Sequence, residues 1–168
     1  MKTQKILIIG ISGTGKSRLA RKLSELLDIP TTYLDSFIWN EHWKENNEKN
    51  VIQKLEDVLK NEKWIIEGFI HPSATPKLQK ADLVLYLDYS GPRAFLGGLK
   101  RWWQYRGKAR PEMPNGCIER FDWNFLKVMW KRAERPEIEE AIKGFEKKII
   151  RLKSWKETDS FLDKKLKE

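Results

Sequence analysis

The feature that most constrains the fold of this chain is a glycine-rich stretch near its beginning, Gly10-Ile11-Ser12-Gly13-Thr14-Gly15-Lys16-Ser17. It fits the pattern Gly-x-x-x-x-Gly-Lys-[Ser/Thr]. An apolar run typical of a buried parallel strand precedes it at 5–9, and leucines at helical spacing follow it. Because glycines allow positive φ and close approach of the backbone, the N–H groups of such a loop can surround an anion at the start of the helix. Residues 10–17 are therefore predicted to form a phosphate-binding loop.

The residue types in this loop indicate a nucleoside triphosphate with magnesium. Lys16 can reach the β- and γ-phosphates, and the Ser17 hydroxyl can ligate the Mg²⁺ that bridges them. A glycine-rich turn that matches by chance is the alternative, and the strand before and helix after the loop argue against it. We predict ATP as substrate and Mg²⁺ as cofactor. The predicted nucleotide-binding residues are Gly10, Ser12, Gly13, Thr14, Gly15, Lys16, Ser17 and Arg18.

Composition limits the remaining possibilities. The 168 residues are enough for one domain with a substantial core, so 1–168 is predicted to be a single domain. No run approaches the roughly 18 apolar residues of a membrane span, and Cys117 is the one cysteine, which excludes a disulfide framework and four-cysteine zinc sites. We expect a cytoplasmic protein with no membrane partner. The net charge of +9 predicts acidic partners, which are nucleotides, nucleic acid or both.

Five short apolar strands separated by helical patterns predict an α/β fold. Besides the strand at 5–9, β-branched, aromatic and leucine-rich runs stand at 31–34, 64–66, 83–87 and 148–152. Helical periodicity follows the phosphate loop and recurs at about 47–60 and 155–167. This alternation favours a parallel sheet with right-handed crossovers.

Carboxylates stand where two of these strands end. Asp35 follows the second strand and Glu67 the third, and ligands of open parallel sheets collect at the carboxyl ends of the strands. Glu67 is predicted to hold Mg²⁺ or its waters, with a surface position as the alternative. Asp35 opens a predicted acceptor region at about 35–60. Its aromatic stretch 36–43 fits either the wall of an acceptor pocket or a packed Ω-like loop.

A basic segment at about 100–135 is predicted to be a lid. It holds ten lysines and arginines against four acidic residues, a surplus of six, and Pro111 and Pro114 interrupt its middle. Arginines on a hinged loop suit closure over a transferring phosphate, because the planar guanidinium pairs with phosphate oxygens in fixed geometry. Tryptophans interleave with these cations, which is also typical of a stacking platform for single-stranded nucleic acid. Helical spacing favours the core for most of the tryptophans and the lid for some arginines.

Several motifs together resemble one family, the adenylate-kinase-related proteins labelled DNA topology modulation (FlaR-like) proteins. The resemblance covers nearly the whole chain and is most specific at 105–123. It rests on the phosphate loop and on Tyr-Leu-Asp-Ser-Phe-Ile-Trp at 33–39, Trp-Ile-Ile-Glu-Gly-Phe at 64–69, Tyr-Arg-Gly-Lys-Ala-Arg-Pro at 105–111 and Gly-Cys-Ile-Glu-Arg-Phe-Asp-Trp at 116–123. It implies a three-layer P-loop NTPase fold whose five-stranded parallel sheet has the order 2-3-1-4-5, with a helical basic lid.

The resemblance also implies roles for individual residues. Glu67-Gly68-Phe69 is similar to the Asp-Gly-Phe element that steers Mg²⁺ in adenylate kinases, and Ile70-His71 stands where those enzymes have a Pro-Arg that grips the acceptor phosphate. Arg120-Phe121-Asp122 and the later Arg132 are similar to the closing side of the adenylate kinase lid. Arg101 and Arg106 loosely match its opening arginines.

The function predicted from the sequence is transfer of the γ-phosphoryl group of Mg·ATP to an undetermined small acceptor, a nucleoside or nucleotide among the candidates. Asp35 would accept or orient the proton of an acceptor hydroxyl. The predicted catalytic residues are Lys16, Asp35, Arg101, Arg106, Arg120 and Arg132, and the predicted metal ligands are Ser17 and Glu67. The alternative is an ATP-regulated nucleic-acid-binding protein acting on DNA topology. A bare NTPase switch is a third interpretation, for which the sequence offers no obvious glutamine to position a water.

Overall fold

A five-stranded parallel sheet lies at the centre of the protein. The structure is a computed structural model, and it describes residues 3–68 and 75–165. The strands are β1 (Lys5–Gly10), β2 (Thr31–Tyr33), β3 (Trp39–Asn40), β4 (Lys44–Glu45), β5 (Trp64–Glu67), β6 (Leu83–Leu87) and β7 (Ile149–Leu152). The α-helices are α1 (Lys16–Leu27), α2 (Asp35–Ile38), α3 (Glu48–Leu59), α4 (Thr75–Lys80), α5 (Gly91–Tyr105), α6 (Trp123–Lys131), α7 (Arg135–Ala141) and α8 (Trp155–Lys165).

The order of the large sheet is β2-β5-β1-β6-β7, and every neighbouring pair is parallel. Counting only these five strands, the order is 2-3-1-4-5, so the prediction is confirmed. The short strands β3 and β4 form a separate antiparallel hairpin that the sequence patterns did not predict. Because β1 lies between β5 and β6, the phosphate loop that follows β1 is at the centre of the carboxyl edge of the sheet.

Alternate residues of β1 point into two separate apolar layers. Leu7 and Ile9 belong to the layer that includes residues of α3, α6 and α7, whereas Ile6 and Ile8 pack with residues of α1 and α8. A strand with this alternation is buried on both faces, as its continuous apolar run predicted. The result is three layers, with helices on both sides of the sheet.

Local sequence signals explain where several helices begin. The Asn47 side chain accepts a hydrogen bond from the Lys49 N–H at 2.9 Å and caps α3, and the Asp122 side chain caps α6 by accepting from the Phe125 N–H at 3.0 Å. The helix α5 begins after Ser90 with a proline in its first turn, where the missing N–H costs nothing.

The second strand is shorter than the predicted run 31–34. It ends at Tyr33, and Asp35 is the first residue of the four-residue helix α2. The stretch 36–43 continues from α2 into the β3–β4 hairpin, where the rings of Trp39 and Trp43 meet edge to face at a centroid distance of 5.6 Å.

The expectation that the lid tryptophans are mostly core residues is wrong. Trp103 is 68% exposed, and Trp123 and Trp130 are also more than half exposed. Their rings contact other aromatic residues instead, so helical spacing alone predicted the wrong buried face for α5 and α6. We call this set the aromatic surface; its members are Phe95, Trp102, Trp103, Phe121, Trp123 and Trp130.

Within residues 3–68 and 75–165, no helix has the length and apolar character needed to cross a membrane.

Candidate active site

The phosphate loop is a compact turn between β1 and α1. Gly13 and Gly15 have φ of 82° and 88°, in the left-handed region that favours glycine, and Gly15 is the N-cap of α1. The buried Thr14 hydroxyl donates to the Ile11 carbonyl at 2.9 Å, and Lys16 Nζ donates to the same carbonyl at 3.1 Å. Lys16 therefore lies folded across the loop, with its charge beside the helix terminus that would receive phosphates.

Helix α5 supports this loop from one side. A Cβ added to Gly97 would lie 1.9 Å from the Gly13 carbonyl oxygen, and one added to Gly13 would lie 2.2 Å from the Ala94 carbonyl oxygen. Two backbones thus touch without intervening side chains. This contact fixes the position of the loop relative to the helix that leads into the lid.

A carboxylate from a distant part of the chain also binds the loop. Glu134, in the turn between α6 and α7, accepts from the Ser12 N–H at 2.6 Å and from the Ser12 hydroxyl at 2.9 Å. No local signal could have identified Glu134, because its partner is 122 residues away along the chain. The side chain of Arg18, predicted to bind nucleotide, contacts Asp159 on α8 at 3.1 Å.

The predicted metal ligands lie together at the carboxyl edge. The Ser17 hydroxyl donates to Glu67 Oε2 at 3.1 Å, joining α1 to the end of β5. The pKa of Glu67 is raised to about 7, mainly by burial, with smaller contributions from the nearby carboxylates Asp35 and Glu112 and against the opposing effect of Lys16. A hydroxyl and a carboxylate are hard oxygen ligands that fit Mg²⁺, which commonly takes few protein ligands beside phosphate oxygens and water. In the described residues, no three His, Cys, Asp or Glu side chains cluster in a way that could hold a metal ion.

Asp35 lies beside Glu67 because β2 and β5 are neighbours. The Leu34 N–H donates to the Glu67 carbonyl at 2.9 Å, which places Asp35 one residue beyond that contact. Arg110, which the sequence prediction left out of the site, approaches it from the lid, with Nη2 at 3.9 Å from Asp35 Oδ2. Phe69, Ile70 and His71, named in the comparison with adenylate kinases, lie outside the described residues.

The middle of the predicted lid rests on the β3–β4 hairpin. The His42 N–H donates to the Asn115 carbonyl at 3.3 Å, the Trp43 indole donates to the Ile118 carbonyl at 3.0 Å, and the Cys117 thiol donates to the Asn40 carbonyl at 3.3 Å. The lid loop therefore covers the region that follows Asp35.

The four predicted lid arginines have different surroundings. Arg101 Nε donates to Glu119 Oε1 at 2.8 Å, and Arg106 lies 5.0 Å above the ring of Trp103. Arg120 is exposed. Arg132, which ends α6 with a left-handed φ of 55°, donates to Asp88. The structure therefore places Arg101, Arg106 and Arg132 against three different partners.

Three arginines instead converge on Asp88, directly after β6. Arg132, Arg135 and Arg151 all donate to its carboxylate, and Arg151 also pairs with Glu139 at 2.7 Å. Burial alone would raise the pKa of Asp88, but the hydrogen bonds from Arg135 and Arg151 outweigh it and lower the pKa. The sequence showed Asp88 as a strand-end carboxylate and gave no indication of its partners, which come from three separate elements.

A small cavity of about 40 Å³ lies beside the phosphate loop, between α1 and α8. Thr14, Gly15 and Arg18 form one wall, and Tyr89 and Trp155 form another, with their rings edge to face at 6.1 Å.

Several solved structures that resemble this chain are kinases. A shikimate kinase from Acinetobacter baumannii in complex with shikimate superposes with a TM-score of 0.59 and 18% identity, over 99% of this chain and 92% of that one. The chain has the fold of the P-loop kinases. A gluconokinase from Sinorhizobium meliloti 1021 gives a TM-score of 0.57 and 12% identity, over 98% of this chain and 90% of that one. A shikimate kinase from Aquifex aeolicus gives 0.53 and 16%, over 95% and 92%.

No family model matches the sequence, and no curated protein matches it. At these identities the structural likeness establishes the fold alone, so the function has to be argued from the site.

Proposed function

We propose that this protein is a P-loop kinase that transfers the γ-phosphoryl group of Mg·ATP to a hydroxyl group of a small molecule. The observation that carries the proposal is the 3.1 Å contact between Ser17 on the phosphate-loop helix and Glu67 at the end of β5. It supports the proposal because a hydroxyl and a carboxylate, both of which suit Mg²⁺, meet beside Lys16, with Asp35 on the neighbouring strand end.

The reaction follows from these positions. The acceptor oxygen forms a bond to the γ-phosphorus while the bond from that phosphorus to the bridging oxygen of ATP breaks, and ADP leaves with the bridging oxygen. The hydroxyl proton passes to Asp35 and then to solvent. Lys16 stabilises the charge on the transferring group, and Mg²⁺, when bound, supplies further charge neutralisation. Arginines of the lid are candidates for the same task.

Incubation with Mg·ATP and a panel of nucleosides, nucleotides and hydroxyl metabolites tests this proposal, with ADP formation as the readout. We expect acceptor-dependent ADP that Lys16→Ala reduces by about 10³-fold or more, because a cation on the transferring phosphoryl group contributes on that scale. Lys63→Ala is the matched control, since this exposed lysine precedes β5 at the opposite edge of the sheet. Turnover that persists in Lys16→Ala would refute the assignment of the loop.

Nucleic-acid binding remains the second candidate because of the aromatic surface. Exposed rings at Trp103, Phe121 and Trp123 lie among lysines and arginines of α5 and α6, the combination that stacks single-stranded bases. If this surface binds single-stranded DNA, the affinity will fall steeply with log salt and will be lost in a Trp103→Ser, Trp123→Ser double variant. Fluorescence polarisation of a labelled oligonucleotide measures both. An affinity that is equal in the variant, or absent at low salt, rejects this candidate.

A further inference from the structure

The surroundings of Asp35 bear on the acceptor that this site would accept, and the inference rests on the proposed kinase function. Asp35 keeps 44% of its side chain exposed, whereas the nearby side chain of Arg110 is only 8% exposed. A molecule that enters beside Asp35 therefore meets a carboxylate first and a largely covered cation second.

The charge of Arg110 is already engaged. Its Nη1 lies 3.5 Å from Glu112 Oε1, and its Nε lies 3.1 Å from Glu119 Oε2 without the angle of a hydrogen bond. Glu119 is shared with Arg101 at 2.8 Å. With the Arg110–Asp35 pair at 3.9 Å, the network joins two guanidinium groups to three carboxylates, Asp35, Glu112 and Glu119, so it carries a formal net charge of −1 before any substrate binds. In a partly desolvated site this charge repels an anion.

Glu112 acts electrostatically on groups at the ends of both β2 and β5. Glu112 lies close enough to Glu67 and Tyr33 to raise the pKa of both groups, to which burial contributes most, so Glu112 also faces the space between β2, β5 and the lid.

The gap between Arg110 and Asp35 suits a hydroxyl group. Nη2 and Oδ2 are 3.9 Å apart, too far for a direct hydrogen bond. An oxygen about 2.8 Å from each atom could accept from Nη2 and donate to Oδ2. An alcohol does both, whereas an ionised phosphate or carboxylate has no proton to donate to Asp35.

We propose that the acceptor is an alcohol without a phosphate or carboxylate group, either uncharged or carrying an amine, and that Asp35 and Glu112 together exclude anionic alcohols. The proposed substrate class therefore differs from that of a site in which an unpaired arginine binds an acidic group of the substrate.

Matched acceptor pairs test the proposal, each pair differing only in the anionic group. The pairs are a 5′-O-methyl nucleoside and the nucleoside 5′-monophosphate, the methyl ester of shikimate and shikimate, and 6-O-methylglucose and glucose 6-phosphate, so that both members of a pair keep the same free hydroxyls; they are compared by kcat/KM for ADP formation from Mg·ATP. We expect the member without the anion to be preferred by about tenfold or more, the effect of one screened unit charge a few ångströms away. The Glu112→Gln variant should reduce this preference several-fold. Glu137→Gln, at an exposed acid on α7, should leave it unaltered.

The outcomes separate the two proposals. Preference for the anionic member in the wild-type protein overturns the acceptor class and leaves the kinase function standing. An unchanged preference in Glu112→Gln overturns the role of Glu112. If no acceptor yields ADP above the Lys16→Ala background, the kinase function and the acceptor class fall together. Should Glu112→Gln not fold, the wild-type pairs still decide the acceptor class.

Discussion

At the scale of single residues, Lys77 on α4 shows how burial of a charged group lowers the stability of the folded protein. Its side chain is 2% exposed, and burial lowers the pKa of its ammonium group to about 8 from an ordinary value of 10.5. Between these two pH values the unfolded chain binds a proton that the folded chain does not, so the free energy of unfolding falls as pH decreases from about 10.5 to about 8. Below about pH 8 the folded chain also binds this proton, and the full destabilisation from burying the charge is present.

Lys77→Met is therefore expected to stabilise the protein at pH 7 by about 1–3 kcal/mol, because methionine fills a similar volume without a charge to desolvate. Urea unfolding at pH 7 and at pH 10 measures the effect, and the advantage of the variant should shrink at pH 10. Lys63→Met, at an exposed position, is the control. A less stable Lys77→Met would mean that the ammonium group makes a contact worth more than its desolvation.

At the scale of elements, the packing of α5 on the phosphate loop fixes the position of the loop. Gly97 of this helix lies against the Gly13 carbonyl, and a Cβ added to Gly97 would lie 1.9 Å from that carbonyl oxygen. Because the two backbones are in direct contact, a shift of the helix displaces the loop. The contact therefore couples the nucleotide site to the helix that leads into the lid.

We expect Gly97→Ala to weaken Mg·ATP binding by about tenfold or more and to destabilise the fold by about 1–3 kcal/mol, the usual cost of overpacking. Isothermal titration calorimetry and urea unfolding measure the two effects. Leu96→Ala, on the exposed face of the same helix, should change neither. Unaltered nucleotide affinity in Gly97→Ala would show that the loop tolerates displacement.

At the scale of the whole molecule, ligand binding should stabilise the chain in a pH-dependent way. Burial raises the pKa of Glu67 to about 7, so Mg²⁺ must displace a proton from this carboxyl group at pH 6 but not at pH 8. Without ligand, the stability of the protein depends on pH in the opposite direction. Ionising the buried Glu67 carboxyl group destabilises the folded state, so the free energy of unfolding falls as pH rises from 4.5 to about 7.

Mg·ATP at about 100 times its Kd at pH 8 should stabilise the protein by about 2.7 kcal/mol, which is roughly 5–11 °C in Tm for a chain of this size. At pH 6 the affinity should be about tenfold lower, and the shift in Tm at the same concentration correspondingly smaller. Thermal melts at both pH values check this. The Glu67→Gln variant lacks the carboxyl group, whereas the ATP phosphates still titrate. If the affinity of that variant changes equally with pH, the pH effect comes from the nucleotide and not from Glu67.

Local patterns were enough to predict the phosphate loop and the five main strands, because glycines that need positive φ and continuous apolar runs are local signals. The order of the strands came instead from the resemblance to a known family, and the structure confirms it. Ser17 and Glu67 were predicted as metal ligands, and the structure brings these two side chains within 3.1 Å of each other at one edge of the sheet. The contact of Glu134 with Ser12, the approach of Arg110 to Asp35 and the exposure of the lid tryptophans became known only from the folded structure. These depend on how distant segments pack, and charge or spacing within a segment does not specify the partner that it meets.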